Sequence, residues 1–249
     1  MQGIPVVRWM MLAGLCTCHD QPVQGQGRES PPNPSIAAQR LSGPLEDFGA
    51  RRPARYRACE PLPLGQFWDG EDRFPEEAGV AYAGATGRGL SFYVHLLDSD
   101  IFSRATGDEQ KMPALGDVVE IFVKPGSGRP DYWEIHVTPN GFLLDIHIPD
   151  RARISKGGTI TWEQVVPFVP PASGATRRVA VTDSSWSVEV TVPWSAFGRD
   201  APPAPGSVWQ FAVCRYNYSG GLEDPELSST ARITELSFHR HEEYTDLVF

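Results

Sequence analysis

The run Trp186-Ser187-Val188-Glu189-Val190-Thr191-Val192 constrains this chain most, because its apolar side chains alternate strictly with polar ones. A two-residue period puts Trp186, Val188, Val190 and Val192 on one face of a strand and the polar set on the other. Gly89–Leu97 repeats the pattern, with Phe92, Val94 and Leu96 set between Ser91, Tyr93 and His95. Gly87-Arg88 reads as the turn that joins it to a strand over Gly79–Thr86. Asp117–Val123 is a strand rich in β-branched residues. Tyr132–Thr138 and Gly141–Ile148 form a hairpin through Pro139-Asn140-Gly141. Arg177–Thr182 pairs with Trp186–Val192 around Asp183-Ser184-Ser185, and Pro193–Phe197 makes a short helical turn. Val208–Tyr218 and Ile233–Phe238 supply later strands. The 24 Gly and 23 Pro suit the turns that such strands need. About nine or ten close strands and no long helix predict an all-β chain, an antiparallel β-sandwich or jelly roll.

The first residues follow a different logic. Arg8 precedes the apolar run Trp9–Cys18, which has the length of a signal-peptide core and is too short to span a bilayer. Residues 1–20 are therefore expected to be an export signal, which makes the chain secreted, periplasmic or cell-surface. Ala13-Gly14-Leu15-Cys16 loosely resembles a lipoprotein cleavage box, so Cys16 or Cys18 is the candidate for a lipid that tethers the chain to a membrane. Residues 21–55, rich in Gln, Pro, Ser, Gly and Arg, read as a flexible tether. Within them Ile36–Leu41 is a candidate short helix. The sandwich occupies residues 56–249. If Cys16 and Cys18 are processed, Cys59 and Cys214 remain, either as a disulfide or as two buried thiols.

Charge narrows the partners. The formal net charge is −9, and the Arg residues crowd toward the N-terminus, so the β-rich body is more acidic still. That body repels phosphate backbones and argues against nucleic acid. It accommodates a neutral glycan or a divalent cation.

Four segments carry a family resemblance. They are Leu115–Val123 with its Asp117-x-x-Glu120 spacing, the aromatic-led hairpin Tyr132–Gly141, the strand and Pro-turn Trp186–Trp194, and Phe211–Tyr216 with its Arg215. In order and spacing they resemble the family 9 carbohydrate-binding modules, and Phe238–Phe249 resembles the close of an exported branch. The resemblance implies a β-sandwich that binds oligo- or polysaccharide without catalysis, often beside glycoside hydrolases in carbohydrate catabolism. It assigns Glu120 to the ligand. It also places a clamp Trp six residues before that Glu, where this chain has Ala114, so another ring (Tyr132, Tyr216, Tyr218 or Trp162) must substitute if sugar is bound. A structural calcium is common in the family, with Asp98, Asp100 and Asp108 as candidate ligands. Related sandwiches hold haem, for which Met112, His95, His136 and His147 are available. A third reading is an interaction domain that lost its sugar site.

The residues themselves suggest three clusters. Glu120 falls between Val118 and Phe122 and needs a partner, for which Arg215 is the natural candidate, the two forming either a buried structural ion pair or the polar floor of a ligand cleft. Tyr216, Asn217 and Tyr218 extend the Arg215 strand toward Gly220-Gly221, where rings and amides suit sugar hydroxyls. If Asn140-Gly141 is a two-residue loop, Glu134 and His136 share a face with Asp145 and His147, with Tyr132 on the rim. That set could bind zinc, pair across strands, or line a glycan groove with Tyr132 and Glu134 on its rim. No Gly-x-Ser-x-Gly, His-Glu-x-x-His or phosphate loop is present, and the separation of acids that a glycosidase requires is not a sequence property. His239 and His241, beside acids near the C-terminus, read as a polar boundary.

Overall fold

The computed structural model describes residues 34–154 and 160–249. The alternating runs form strands as their periodicity predicts. They stack as two mostly antiparallel sheets, a β-sandwich with one short α-helix among the described residues, α1 (Trp162–Val165). The first sheet runs β1 (Ser35–Ala37), β13 (Thr245–Val248), β11 (Val208–Asn217), β6 (Val118–Lys124), β7 (Tyr132–Val137) and β8 (Leu143–Ile148), with β12 (Glu226–Ser229) also on β11. The second runs β2 (Gln39–Arg40), β4 (Gly79–Ala85), β5 (Gly89–Leu97), β10 (Ser185–Pro193) and β9 (Thr176–Val181), with β3 (Leu62–Pro63) on β4.

Residues 34–55, expected as tether, begin the sandwich instead. β1 lies parallel to β13 in the first sheet, and β2 crosses to lie parallel to β4 in the second. Two short strands replace the helix considered at Ile36–Leu41. Ile36, Leu41 and Leu45 are buried, but they are too far apart in sequence to show a period. The expected strand at Ile233–Phe238 is a loop, and its place in the first sheet is taken by β12 and β13. The expected signal and lipid-bearing cysteines, and the tether up to residue 33, lie outside the described residues.

Between the sheets, Val119, Ile121, Val123, Ile135 and Val137 meet Phe92, Val94, Leu96, Trp186, Val188, Val190 and Val192. Each such aliphatic side chain stabilises the fold by about 1.5–3 kcal/mol relative to exposure. The outer faces are covered too. Leu41, Leu45 and Tyr56 cover Val80, Tyr82 and Tyr93 on the outer face of the second sheet. Over the first, Met112, Ile154, Val165, Ile233, Phe238 and Tyr244 pack on Val118, Phe122, Leu144, Ile146 and Cys214. With both faces covered, β6 is buried along its whole length. That is why its sequence reads as one apolar run around Glu120.

Cys59 and Cys214 are free thiols in separate clusters, over the second and first sheets respectively. The disulfide is thus absent, and the alternative of two buried thiols holds. Burial pushes the Cys59 thiol up to about 11 and Cys214 well above its ordinary value. Peptides containing either residue are expected to stay unalkylated when the native chain meets iodoacetamide at pH 8, and to label fully in guanidinium. Native labelling at mass-spectrometric readout would place these thiols at the surface.

Candidate functional site

The site begins with a turn that only glycine permits. Gly116 has φ +136°, and a Cβ there would lie 2.5 Å from the Phe102 carbonyl oxygen. Asp117 then accepts the Phe102 and Tyr218 backbone N–H groups at 2.7 and 2.8 Å, fixing the start of β6. From that start the pleat aims Val118, Glu120 and Phe122 outward from the sandwich.

Pairing of β6 with β7 sets His136 directly opposite Glu120, and Glu134 two residues along on the same face. The His136 Nε2 lies 2.7 Å from Glu134 Oε1 and 3.4 Å from Glu120 Oε1. All three side chains are buried, and they form a group that could hold a metal ion. Burial pushes the Glu120 carboxyl up to about 7, with Glu134 adding to the rise and His136 opposing it. Burial acts the same way on Glu134, but His239 and His136 outweigh it and hold that carboxyl low. Burial works against a proton on His136, yet Glu120 and Glu134 raise its affinity for one. His239 Nδ1 meets the Tyr132 hydroxyl at 2.8 Å, while its Nε2 stands 3.8 Å from Glu134 Oε2. Burial lowers this imidazole despite Glu134.

Above these groups opens a cleft of about 710 Å³. Its floor is Glu120, Glu134 and His136, and its aromatic lining is Trp162, Tyr216 and Phe238. Lys111, Arg151 and Arg240 bring cationic groups to it. Arg151 donates to the His239 carbonyl at 3.1 Å and to Glu242 at 2.5 Å, tying β8's end to the C-terminal loop. Such a cleft, with a buried polar floor and aromatic lining, suits a ligand that carries both C–H faces and hydroxyls.

Of the residues singled out in the sequence, Glu120, Glu134, His136, Trp162, Tyr216 and His239 line this cleft, although the sequence marks His239 only as part of a polar boundary. Tyr132 lies behind it, held by His239. The Tyr218 hydroxyl bonds the Pro113 carbonyl at 2.5 Å and is spent on structure. Ala114 ends the 3-10 turn Met112–Ala114, whose neighbours Lys111 and Pro113 are cleft residues. The clamp ring that the family resemblance calls for is therefore missing at the margin of this same cleft.

Arg215 does not meet Glu120. Register places Cys214 opposite Glu120 and Arg215 opposite Val119, so Arg215 points between the sheets. There it donates to Asp98 Oδ2 at 2.9 Å and to Asn217 Oδ1 at 2.6 Å. Asn217 in turn donates to Glu77 at 2.7 Å. The calcium candidates are engaged separately. Asp98 also accepts the Trp186 indole N–H, Asp100 accepts the Gly220 N–H, and Asp108 pairs with Arg177. They do not converge on a common centre.

The hairpin register also differs from expectation. The loop closes from Thr138 N–H to the Phe142 carbonyl at 3.1 Å, so it is wider than a two-residue turn. His136 then pairs with Leu144 and Glu134 with Ile146. Asp145 and His147 turn to the other face, where Asp145 accepts Ser173 N–H at 2.6 Å and His147 stacks on Trp133 at 4.7 Å. The four-residue polar set is split, and its outward half joins Glu120 instead. Of the haem candidates, Met112 is buried over the first sheet, while His95 bonds Ser187 at 2.8 Å on the second sheet, remote from His136. Phe238, Arg151, Arg240 and Lys111 were missed because they come from irregular segments with no period to read.

Asp117 gives a pH-dependent test of this frame. Burial and the nearby Asp98 charge push its carboxyl up to about 7, against its two backbone N–H bonds and Arg215. The folded state then keeps a proton that the unfolded chain releases near pH 4. Stability contributed by that proton is full below about pH 4 and lost as pH rises through about 7. Asp117→Asn is therefore expected to destabilise more at pH 5 than at pH 8, by at least about 1 kcal/mol. Guanidinium midpoints of both chains at the two pH values check this, and equal differences would contradict it.

No family model matches the chain, and no curated protein matches it. Solved structures do. A provisionally described carbohydrate-binding protein of Bacteroides uniformis matches with TM-score 0.61 and 16% identity, over 88% of this chain and 100% of that one. A family 9 carbohydrate-binding module of Caldicellulosiruptor kristjanssonii in complex with cellotriose matches with TM-score 0.59 and 11% identity, over 86% of this chain and 92% of the module. The glucose complex of a family 9 module from that organism matches with TM-score 0.59 and 11% identity, over 86% and 94%. At these identities the likeness establishes the fold, which is that of family 9 modules over most of the chain.

Proposed function

We propose that this chain is a non-catalytic carbohydrate-binding domain whose ligand enters the cleft over the first sheet. The observation that carries the reading is the cleft itself: buried carboxylates at its floor and Trp162, Tyr216 and Phe238 along it. A sugar offers C–H faces to rings and hydroxyls to carboxylates, so one ligand satisfies both parts. The modules of the same fold, solved with cellotriose and glucose, make neutral glucans the first probes. The reading includes an exported location and a place in carbohydrate catabolism. Export is tested by fractionating cells that make the full chain.

A glycan-array screen of the full chain, with and without calcium, followed by calorimetric titration of the best ligand, tests the function. Wild type is expected to bind, and Glu120→Ala to weaken binding by about 10–100-fold, the loss of a hydrogen bond to a charged group. An unchanged circular dichroism spectrum shows that the variant is folded. A folded wild-type chain that binds no glycan would overturn the reading and leave an interaction domain.

A further inference from the structure

We propose that Glu120, Glu134 and His136 form a site for one first-row divalent cation of the zinc class at the floor of the cleft.

Three observations lead there. The first is geometric: one ligand atom from each residue lies within 4.8 Å of the others. An ion bound at about 2.1 Å by each ligand sets neighbouring ligand atoms roughly 3.4 Å apart in a tetrahedral arrangement. His136 Nε2 is already 3.4 Å from Glu120 Oε1, and the 2.7 Å contact to Glu134 needs to open by less than an ångström.

The second is an orphaned atom. Glu134 Oε2 is buried with no hydrogen-bond partner, although its side chain is only 7% exposed. A buried carboxylate oxygen left unmatched is costly, and a cation satisfies it directly.

The third is charge. Two buried carboxylates share one imidazole between them. A divalent ion placed among them offers positive charge to both carboxylates at once. His239, whose Nε2 is 3.8 Å from Glu134 Oε2, completes a nitrogen- and oxygen-bearing surround. Its Nδ1 meets the Tyr132 hydroxyl, a contact that orients the ring.

The donor set chooses the metal. Calcium takes six to eight oxygen ligands, whereas imidazole nitrogen with carboxylate oxygens suits zinc and its neighbours. Because three protein ligands leave a tetrahedral ion one position short, the free position faces the cleft.

The test titrates untagged, chelator-stripped full chain with zinc chloride alone, without sugar, by calorimetry. Wild type is expected to bind one ion that His136→Ala and Glu134→Gln bind on the order of 100-fold more weakly. In the same samples zinc is expected to raise the melting temperature of wild type and not that of Glu134→Gln. The Gln variant keeps the side-chain shape, so it serves if the Ala variant fails to fold. Zinc binding that is absent from wild type, or equal in folded Glu134→Gln, would overturn the proposal. Since no glycan is present, the result stands apart from whether the cleft takes sugar.

Discussion

Arg215→Ala is expected to destabilise the fold by about 3–5 kcal/mol, the cost of leaving one partner of a buried ion pair alone. The Arg215 side chain is 1% exposed and that of Asp98 0%, at an N···O distance of 2.9 Å. The guanidinium also donates to the Glu77 carbonyl at 2.8 Å and to Asn217, so its fork ties β11 to the segments before β4 and after β5. Asp98 would retain the Trp186 indole N–H at 3.1 Å and lose the Arg215 guanidinium as its ion-pair partner. For a domain of this length the expected loss corresponds to about 6–20 °C in melting temperature. Arg215→Lys should recover only part of it, because an ammonium cannot reproduce the planar fork. Guanidinium denaturation followed by circular dichroism provides the measurement. A loss below about 1 kcal/mol would show that Asp98 is solvated in the variant. Glycan affinity per folded molecule should be unchanged, which separates this structural Arg from the ligand role that the sequence suggested.

The same residue shows how far sequence reasoning reaches. The strands β5 and β10 were legible because one face of each carries polar side chains. Ser187 bonds His95, Thr191 lies 2.8 Å from Ser91, and Glu189 accepts the Tyr56 hydroxyl at 2.6 Å. Their alternation survives in the sequence. Glu120 was legible as a carboxylate standing in an apolar strand. Its partner was not, since Arg215 and Cys214 differ by one position and hence by one face of β11. The hairpin failed for the same reason, because a wider loop at Thr138–Phe142 shifts the register by one residue and turns Asp145 and His147 away. The rest of the cleft comes from segments such as Ile160–Val165 and Glu235–Arg240. Their positions are set by packing over the first sheet, and no local pattern encodes that.

Trp162→Ala and Tyr216→Ala are each expected to weaken the ligand found by the glycan screen by about 10-fold, and together by about 100-fold. Both rings are only partly buried and line the cleft, so their removal costs the fold less than the ligand. Tyr216 projects from β11 on the Glu120 face, opposite Val118, and Phe238 supports it edge-on at 5.7 Å. Trp162 begins α1, where Thr161 and Gln164 close a capping box that fixes the approach of the ring. Two rings from separate elements, a strand and a helix, can hold a sugar that a single clamp Trp no longer reaches from the Ala114 position. Losses that add mean that the rings contact the ligand independently, since additivity fails where groups share one contact. Tyr216→Phe separates the ring from its hydroxyl. If stacking is the role, the Phe variant keeps affinity within about threefold of wild type while the Ala variant loses it. Equal loss in Phe and Ala would assign the contribution to the hydroxyl instead. Full affinity in the folded double Ala variant would move the ligand away from this cleft altogether.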